Sequence, residues 1–288
     1  YDVSALVPVA PIDPDERLQE IRRLIDSMED ADYQSVARTM LERHLEAFRS
    51  IPAAKSVHHS FLSGLLMHTS NMLKIADFLA AQNVKMMVIA CNTITATCLD
   101  ELRARYPSIP IIGIISPAAK TIARTCDETN RIGVIATKAT IASDDYPRKI
   151  LEKNPALHVF SKATPAFVPL IEEGIIDNQI MDLTIHYYLD DFLSENQIDT
   201  LVLGCTHYPI IRSNIKRLYP ALKIINPSYE IMRPINDSLR EHDMYAAVND
   251  RENIFYASDL SENFVNMIQK VLEVEESDLI PKFKNLDL

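Results

Sequence analysis

Glycine is scarce in this chain. Only five of its 288 residues are glycine, and their positions allow neither the Gly-x-Gly-x-x-Gly pattern nor the P-loop that cradles phosphates. We therefore expect no nucleotide to be held by a glycine-rich loop. Long apolar runs are also missing: none approaches the roughly 20 residues that span a bilayer, and the N-terminus has no charged-then-apolar signal pattern. A soluble, cytoplasmic protein without membrane contact is the expectation.

The chain also has few cysteines and fewer basic than acidic residues. The four cysteines, at positions 91, 98, 126 and 205, show no Cys-x-x-Cys spacing and no disulfide framework, which is typical of free thiols in a reducing compartment. The 29 Lys and Arg residues stand against 40 Asp and Glu residues, giving a net charge of −11. A nucleic acid partner is therefore not expected. The hydrophobic fraction of 47% is enough for a globular chain with a substantial core.

Two of the cysteines stand in matching contexts. Cys91 follows the apolar run 86–90 and Cys205 follows the run 200–204. Each is succeeded by a polar turn, an amphipathic stretch, a Tyr-Pro pair and a second apolar run, so one strand-Cys-turn-helix-strand unit occurs twice. Because ligands bind beyond the carboxyl ends of strands in open α/β sheets, we expect the two thiols on opposite sides of one small ligand. That arrangement is typical of a two-base proton transfer at a carbon atom.

The hydrophobic periodicity changes near residue 82. Before it the pattern is wholly helical, with helices predicted from Pro14, over 33–49 and over 56–81. After it strands alternate with helices, which predicts an α/β fold of parallel strands with helical crossovers. The predicted strands are 85–90, 110–114, 131–136, 157–160, 200–204 and 222–225, and a late strand at 253–256 and a helix at 261–272 close the chain.

Four ordered motifs in the second part resemble those of the glutamate racemase family of cofactor-independent aspartate/glutamate racemases. The resemblance covers about residues 72 to 285 and lies in VIACNT at 88–93, IGVIATKAT at 132–140, FVPLIEEG at 167–174 and LGCTHYP at 203–209. It implies two α/β domains of pseudo-twofold symmetry, with parallel sheets and helices on both faces. It also implies interconversion of L- and D-glutamate, supplying D-glutamate for peptidoglycan, although aspartate or hydantoin relatives share the two-thiol plan.

The resemblance also implies roles for individual residues. Cys91 and Cys205 would be the acid/base pair, while Glu172 and His207 would support the second thiol. Their chemistry agrees, because a free thiol titrates near pH 8.5 and needs a nearby donor or positive charge to become a base, and a carboxylate can orient an imidazole. The residues that would bind the amino and carboxylate groups of the substrate are Asn92, Thr93, Thr206 and His207. No metal or pyridoxal phosphate is implied, and a homodimer is left open.

The first part of the chain resembles the start of an HD-type metal phosphohydrolase domain, as in bacterial 3′-5′ exoribonucleases, over about residues 1 to 75. The resemblance lies in PAAKSVHH at 52–59 and GLLMHT at 64–69, and it implies His68 as the early metal ligand. Such a site needs a His-Asp pair a few tens of residues later. His242-Asp243, far downstream, is the only such dipeptide, so we expect no working metal site.

Two motifs expected at the start of a racemase of this family are absent from the chain. That family begins with an Asp-Ser-Gly strand-turn followed by a Pro-Tyr-Gly loop, and neither occurs here. The predicted domains are an incomplete HD-like helical segment over 1–82 and a racemase-like body over 83–285 that lacks the N-terminal strands, with 98–204 as its second lobe. Three functions follow: a racemase of impaired activity, an HD-type metal-dependent phosphohydrolase acting on RNA, or a non-catalytic composite. Chelation would abolish only the second.

Overall fold

A computed structural model describes residues 13–28, 31–50, 64–246, 255–257, 269 and 283–285. Its first part is helical, as predicted. These helices are α1 (Pro14–Asp26), α2 (Ala31–Arg43), α3 (Leu45–Ser50) and α4 (Gly64–Ala81). The helix predicted over 33–49 is thus interrupted at His44, where α2 gives way to α3.

Helix α1 begins where the sequence offers a capping carboxylate. The Asp13 side chain accepts hydrogen bonds from the backbone N–H groups of Asp15 at 2.8 Å and Glu16 at 3.2 Å, which satisfies two donors that a helix start leaves open. One face of α1 is apolar: Ile21 and Ile25 are buried and pack with Leu73 of α4. The N-terminal helices therefore have a small core of their own.

The first cysteine-containing unit forms a small parallel sheet. Its elements are β1 (Met87–Ile89), α5 (Asn92–Arg105) and β2 (Ile111–Gly113). Helix α5 lies so close to β2 that a Cβ atom on Gly113 would come within 2.6 Å of the side chains of Thr95 and Leu99. Ala76 of α4 belongs to the same apolar cluster as Met87 of β1 and Ile111 of β2. Helix α4 therefore joins the N-terminal helices to the first sheet.

The second sheet has four parallel strands in the order β4-β3-β5-β6. The elements that follow β2 are α6 (Ile115–Thr125), β3 (Arg131–Ala136), α7 (Lys138–Ala142), α8 (Asp145–Lys153), β4 (His158–Ala163), α9 (Phe167–Glu172), α10 (Gln179–Glu195), β5 (Thr200–Gly204), a 3-10 helix (Tyr208–Ile211), α11 (Arg212–Leu218), β6 (Lys223–Ile225), α12 (Pro227–Glu230) and α13 (Met232–Glu241). Strands β7 (Phe255–Ala257) and β8 (Phe283–Asn285) form a separate parallel pair. Along the chain, Cys205 therefore also lies between two strands that pair in parallel, β5 and β6.

Helices cover both faces of the four-stranded sheet. Alternate residues of β5 point to opposite sides: Leu201 and Leu203 join a core with α9 and α10, whereas Val202 joins a core with α6 and α8. All five residues of β5 are buried, as expected for a central parallel strand covered on both faces. The predicted α/β class, with parallel sheets and helices on both faces, is confirmed.

The predicted strands differ from the observed ones mainly at their ends. All six strands predicted between 85 and 225 are present, although β4 continues to Ala163 instead of ending at residue 160. The late strand predicted over 253–256 corresponds to β7, and the helix predicted over 261–272 lies outside the described residues apart from position 269. Within the ranges described above, none of the helices has the length and apolar character needed to cross a membrane.

Candidate active site

The two cysteines in matching contexts lie at corresponding places in the two sheets. Cys91 stands just beyond the carboxyl end of β1 and is the N-cap residue of α5. Cys205 directly follows Gly204, the last residue of β5. Cys91 is half-buried, Cys205 is buried, and neither forms a disulfide. The repeated unit predicted from the sequence is therefore present in the fold.

Burial raises the pKa of both thiols. It raises the pKa of Cys205 to about 12; the charge of Cys91 adds to this rise, while the His207 backbone amide and the Thr206 hydroxyl oppose it. Burial also raises the pKa of Cys91, against the amides at the start of α5 and the Thr93 hydroxyl, which favour the thiolate. Both thiols are therefore protonated near neutral pH, and a cation beside them would favour a thiolate.

His207 and Glu172 form the polar pair predicted behind Cys205. His207 Nδ1 lies 3.8 Å from Cys205 Sγ, and His207 Nε2 lies 3.0 Å from Glu172 Oε1. The two side chains are largely buried, at 21% and 14% exposure, and Glu172 ends helix α9. The predicted contact is confirmed. Because the carboxylate orients the imidazole ring, Nδ1 is held towards the sulfur and can exchange a proton with it.

Asn92 opens α5 beside Cys91 and has an incomplete set of hydrogen bonds. It is only 3% exposed, and its Oδ1 accepts a hydrogen bond of 2.7 Å from the hydroxyl of Tyr146. Its Nδ2 is buried and has no hydrogen-bond partner among the described residues. A buried donor without a partner is costly, so this nitrogen suits an acceptor atom of a bound ligand.

Three threonine hydroxyls meet between α5 and α7. Thr93 Oγ1 lies 3.0 Å from Thr137 Oγ1 and 3.2 Å from Thr140 Oγ1, which are 3.0 Å from each other. Thr137 caps α7 at the carboxyl end of β3, so a third strand contributes polar groups beside Cys91. Thr206, next to the other thiol, is exposed.

Sequence reasoning missed Thr137, Thr140 and Tyr146 as site residues. The two threonines lie within the motif at 132–140, at the end of a predicted strand, and that position was the available signal. The sequence gives no such signal for Tyr146, because a tyrosine at an apolar position of a helix is usually an ordinary core residue. Only the folded chain brings its hydroxyl to Asn92.

The metal-binding alternative concerns the N-terminal helices. The backbone of His68 belongs to α4, but its side chain lies outside the described residues. In the part of the chain whose side chains are described, no group of three or more His, Cys, Asp or Glu residues could hold a metal ion. The HD-type resemblance and the domain boundaries stay predictions.

Comparison with known proteins gives consistent matches. A family model described as Asp/Glu/Hydantoin racemase matches residues 15–229, a range that begins inside the N-terminal helices. The glutamate racemase of a Sulfurihydrogenibium species is 45% identical over 155 residues, which cover 54% of this chain and 58% of that relative. The glutamate racemase of Aquifex aeolicus is 36% identical over 200 residues, covering 69% of this chain and 74% of the relative.

A solved structure extends the likeness to the fold. Glutamate racemase from Francisella tularensis, crystallised in complex with D-glutamate, matches with a TM-score of 0.70 at 30% identity, over 82% of this chain and 84% of that chain. Fold and site together define a class of α/β proteins with two thiols at the carboxyl ends of repeated units. Within that class, the chain belongs to the Asp/Glu/Hydantoin racemase family. It spans a little under three fifths of the length of its Sulfurihydrogenibium relative.

Proposed function

We propose that this chain interconverts L- and D-glutamate by proton transfer between Cys91 and Cys205. The observation that carries the proposal is the matching position of the two thiols at the carboxyl ends of β1 and β5, with Tyr146 beside the chain neighbour of each. Family membership, and likeness to a glutamate racemase solved with D-glutamate, support glutamate as the substrate. The D-glutamate would serve peptidoglycan synthesis, and the free thiols suit a reducing cytoplasm.

The proposed reaction balances with the substrate and the two thiols alone. A thiolate on one side takes the α-proton: the C–H bond breaks, an S–H bond forms, and the electron pair stays on the α-carbon. The thiol on the other side then gives its proton to the opposite face of that carbon, which inverts its configuration. The two sulfurs have exchanged protonation states, so the reverse reaction starts from the state that the forward one leaves.

The polar groups around the thiols suit the charges of an amino acid. Burial raises the pKa of both thiols, and the α-ammonium group of the substrate is a cation that would favour a thiolate beside it. The unpaired Nδ2 of Asn92 and the hydroxyls of Thr93 and Thr206 are suited to the carboxylate groups. Donors held in place before the reaction also stabilise the negative charge that develops as the α-proton leaves.

We expect the rate to be low for a racemase. The Asp-Ser-Gly and Pro-Tyr-Gly motifs are missing, and among the described residues the sheet that carries Cys91 has only the two strands β1 and β2. The N-terminal helices are a poor substitute, because a helix is about 10 Å across whereas neighbouring strands lie about 4.8 Å apart. Misplacing a reacting group by about 1 Å can already cost about 100-fold in rate.

Incubating the purified protein with L-glutamate in D₂O tests the proposal. We expect slow formation of D-glutamate that carries α-deuterium, and its loss by orders of magnitude in Cys91→Ser and Cys205→Ser, because a serine hydroxyl is a far weaker base than a thiol. Cys126→Ser is the matched control, since that buried thiol ends α6 and takes no part in the site.

Three outcomes would count against the proposal. Absence of α-deuterium in the unmodified protein would reject racemisation of glutamate. Full activity in either Cys91→Ser or Cys205→Ser would reject the two-thiol mechanism. Faster exchange with L-aspartate than with L-glutamate would assign a different substrate to the same site.

A further inference from the structure

A buried hydrogen bond links the two parts of the chain that carry the thiols. Tyr146 lies on α8, beside the four-stranded sheet, and its hydroxyl donates to Oδ1 of Asn92 at 2.7 Å. Asn92 follows Cys91 and opens α5, the helix of the small sheet. Tyr146 is 1% exposed and Asn92 is 3% exposed, so water does not compete for this bond.

The bond determines which way the Asn92 amide faces. An asparagine side chain has an acceptor at one end and two N–H donors at the other. In the observed orientation the tyrosine hydrogen meets the amide oxygen, and Nδ2 is left for another acceptor. Turning the amide over would make Nδ2 the donor to the Tyr146 oxygen and would leave the Asn92 oxygen in the place that Nδ2 now has. In the observed orientation, in which Tyr146 donates, the ligand therefore meets N–H donors and not an acceptor.

The position of the Tyr146 hydroxyl is itself fixed by packing. The ring lies against the backbone at the end of β5, where a Cβ atom on Gly204 would come within 3.3 Å of the Tyr146 Cε2 atom and 2.8 Å of the Ile135 carbonyl oxygen. Gly204 is the residue directly before Cys205. The Tyr146 ring thus lies beside the residue that precedes Cys205, while its hydroxyl orients Asn92 next to Cys91.

We propose that Tyr146 is a positioning residue that holds the Asn92 amide with its Nδ2 donors towards a carboxylate of the amino acid bound between the two thiols. The inference rests on the proposed function for the identity of the ligand. It requires Nδ2 to donate to an acceptor, so the partner is a carboxylate oxygen and not the α-ammonium group, which has only donors.

Tyr146→Phe removes only the hydroxyl and tests the proposal directly. We expect the KM for glutamate to rise by about tenfold or more, with a smaller change in kcat, because the amide is no longer held in its binding orientation. Tyr106→Phe is the matched control: that hydroxyl also bonds a side-chain oxygen, that of Asp77, but at the opposite end of α5. It should leave KM unchanged. If the two substitutions acted only by loosening the packing, the melting temperature of both variants would fall. KM would then not rise in Tyr146→Phe by more than kcat changes.

A second measurement does not depend on turnover. In protein labelled with ¹⁵N-asparagine, the side-chain amide signal of Asn92 is identified by its loss in Asn92→Asp, and it should shift when D-glutamate is added. We expect that shift to be lost in Tyr146→Phe and kept in Tyr106→Phe. Asn92→Asp keeps the acceptor for Tyr146 but turns a second oxygen towards the ligand, so it should abolish glutamate binding.

The outcomes separate this proposal from the proposed function. If the unmodified protein does not racemise glutamate, but the Asn92 signal responds to it and Tyr146→Phe removes the response, the function fails and the positioning role stands. If Tyr146→Phe keeps both the normal KM and the normal Asn92 response, the positioning role is wrong. It is also wrong if the Asn92 side-chain signal of the unmodified protein does not shift when glutamate is added. Should Tyr146→Phe not fold, normal glutamate binding by Asn92→Asp would overturn it.

Discussion

Replacing Glu172 by Gln removes one negative charge behind His207 while keeping the size of the side chain. The Glu172 carboxylate lies 3.0 Å from His207 Nε2, and His207 Nδ1 lies 3.8 Å from Cys205 Sγ. The change therefore acts on Cys205 through the imidazole ring as well as directly. Both side chains of the pair are mostly buried, so solvent screens these interactions only in part.

The two effects of the charge on a Cys205 thiolate oppose each other. Burial is the main cause of the raised pKa of Cys205, and repulsion from the Glu172 charge adds to it. At an effective dielectric constant of about 20, that repulsion is about 2 kcal/mol across a separation on the order of 8 Å. The carboxylate also holds the His207 ring with Nδ1 at 3.8 Å from the sulfur, where the two groups can exchange a proton. Proton transfer by a positioned group contributes about 10²- to 10⁴-fold in rate, or roughly 3–5 kcal/mol. Loss of this positioning outweighs the relief of the repulsion by about 2 kcal/mol, or roughly 30-fold in rate.

We therefore expect Glu172→Gln to lower kcat/KM for glutamate by about 30-fold. Because the two enantiomers have equal free energies in water, kcat/KM must fall by the same factor in both directions. The substrate deuterium isotope effect should increase mainly in the direction in which Cys205 takes the α-proton. Circular dichroism follows the racemisation, and Glu173→Gln, the same charge change at an exposed neighbour, is the control. A Glu172→Gln variant as active as Glu173→Gln would refute the assigned role of the His207–Glu172 pair.

Two further predictions concern packing and protonation. Gly113→Ala should lower the free energy of unfolding by about 1–3 kcal/mol, because the new Cβ would come within 2.6 Å of the Thr95 and Leu99 side chains; an unchanged urea midpoint would contradict this close approach. Iodoacetamide should alkylate Cys205 at a rate that increases about tenfold per pH unit from about pH 7 to 10. The reason is that burial raises the pKa of Cys205 to about 12, so the thiolate fraction keeps growing over this range. A plateau near pH 9, measured by mass spectrometry, would contradict it.

Local pattern was enough to predict much of the architecture. The apolar runs that end at Ala90 and Gly204 predicted β1 and β5, because a short apolar run between polar turns has few places to lie except a buried strand. The repeat of that pattern, with a cysteine after each run, predicted that Cys91 and Cys205 lie at the carboxyl ends of parallel strands. Strand ends were less certain, as β4 illustrates, since the end of a strand depends on where its neighbour in the sheet stops pairing.

The sequence by itself determined that each of the two site cysteines follows a buried strand, because a strand, its turn and the cysteine after it are consecutive along the chain. The tertiary structure alone decided which side chains from distant segments touch. Tyr146 and Asn92 are 54 positions apart, and Thr93 lies 44 and 47 positions from Thr137 and Thr140. Hydrophobic periodicity identifies the buried face of each helix, but it does not give the distance between two helices or the angle at which they cross. Those quantities come from how side chains fill the space between elements, and they bring the Tyr146 hydroxyl to the amide beside Cys91.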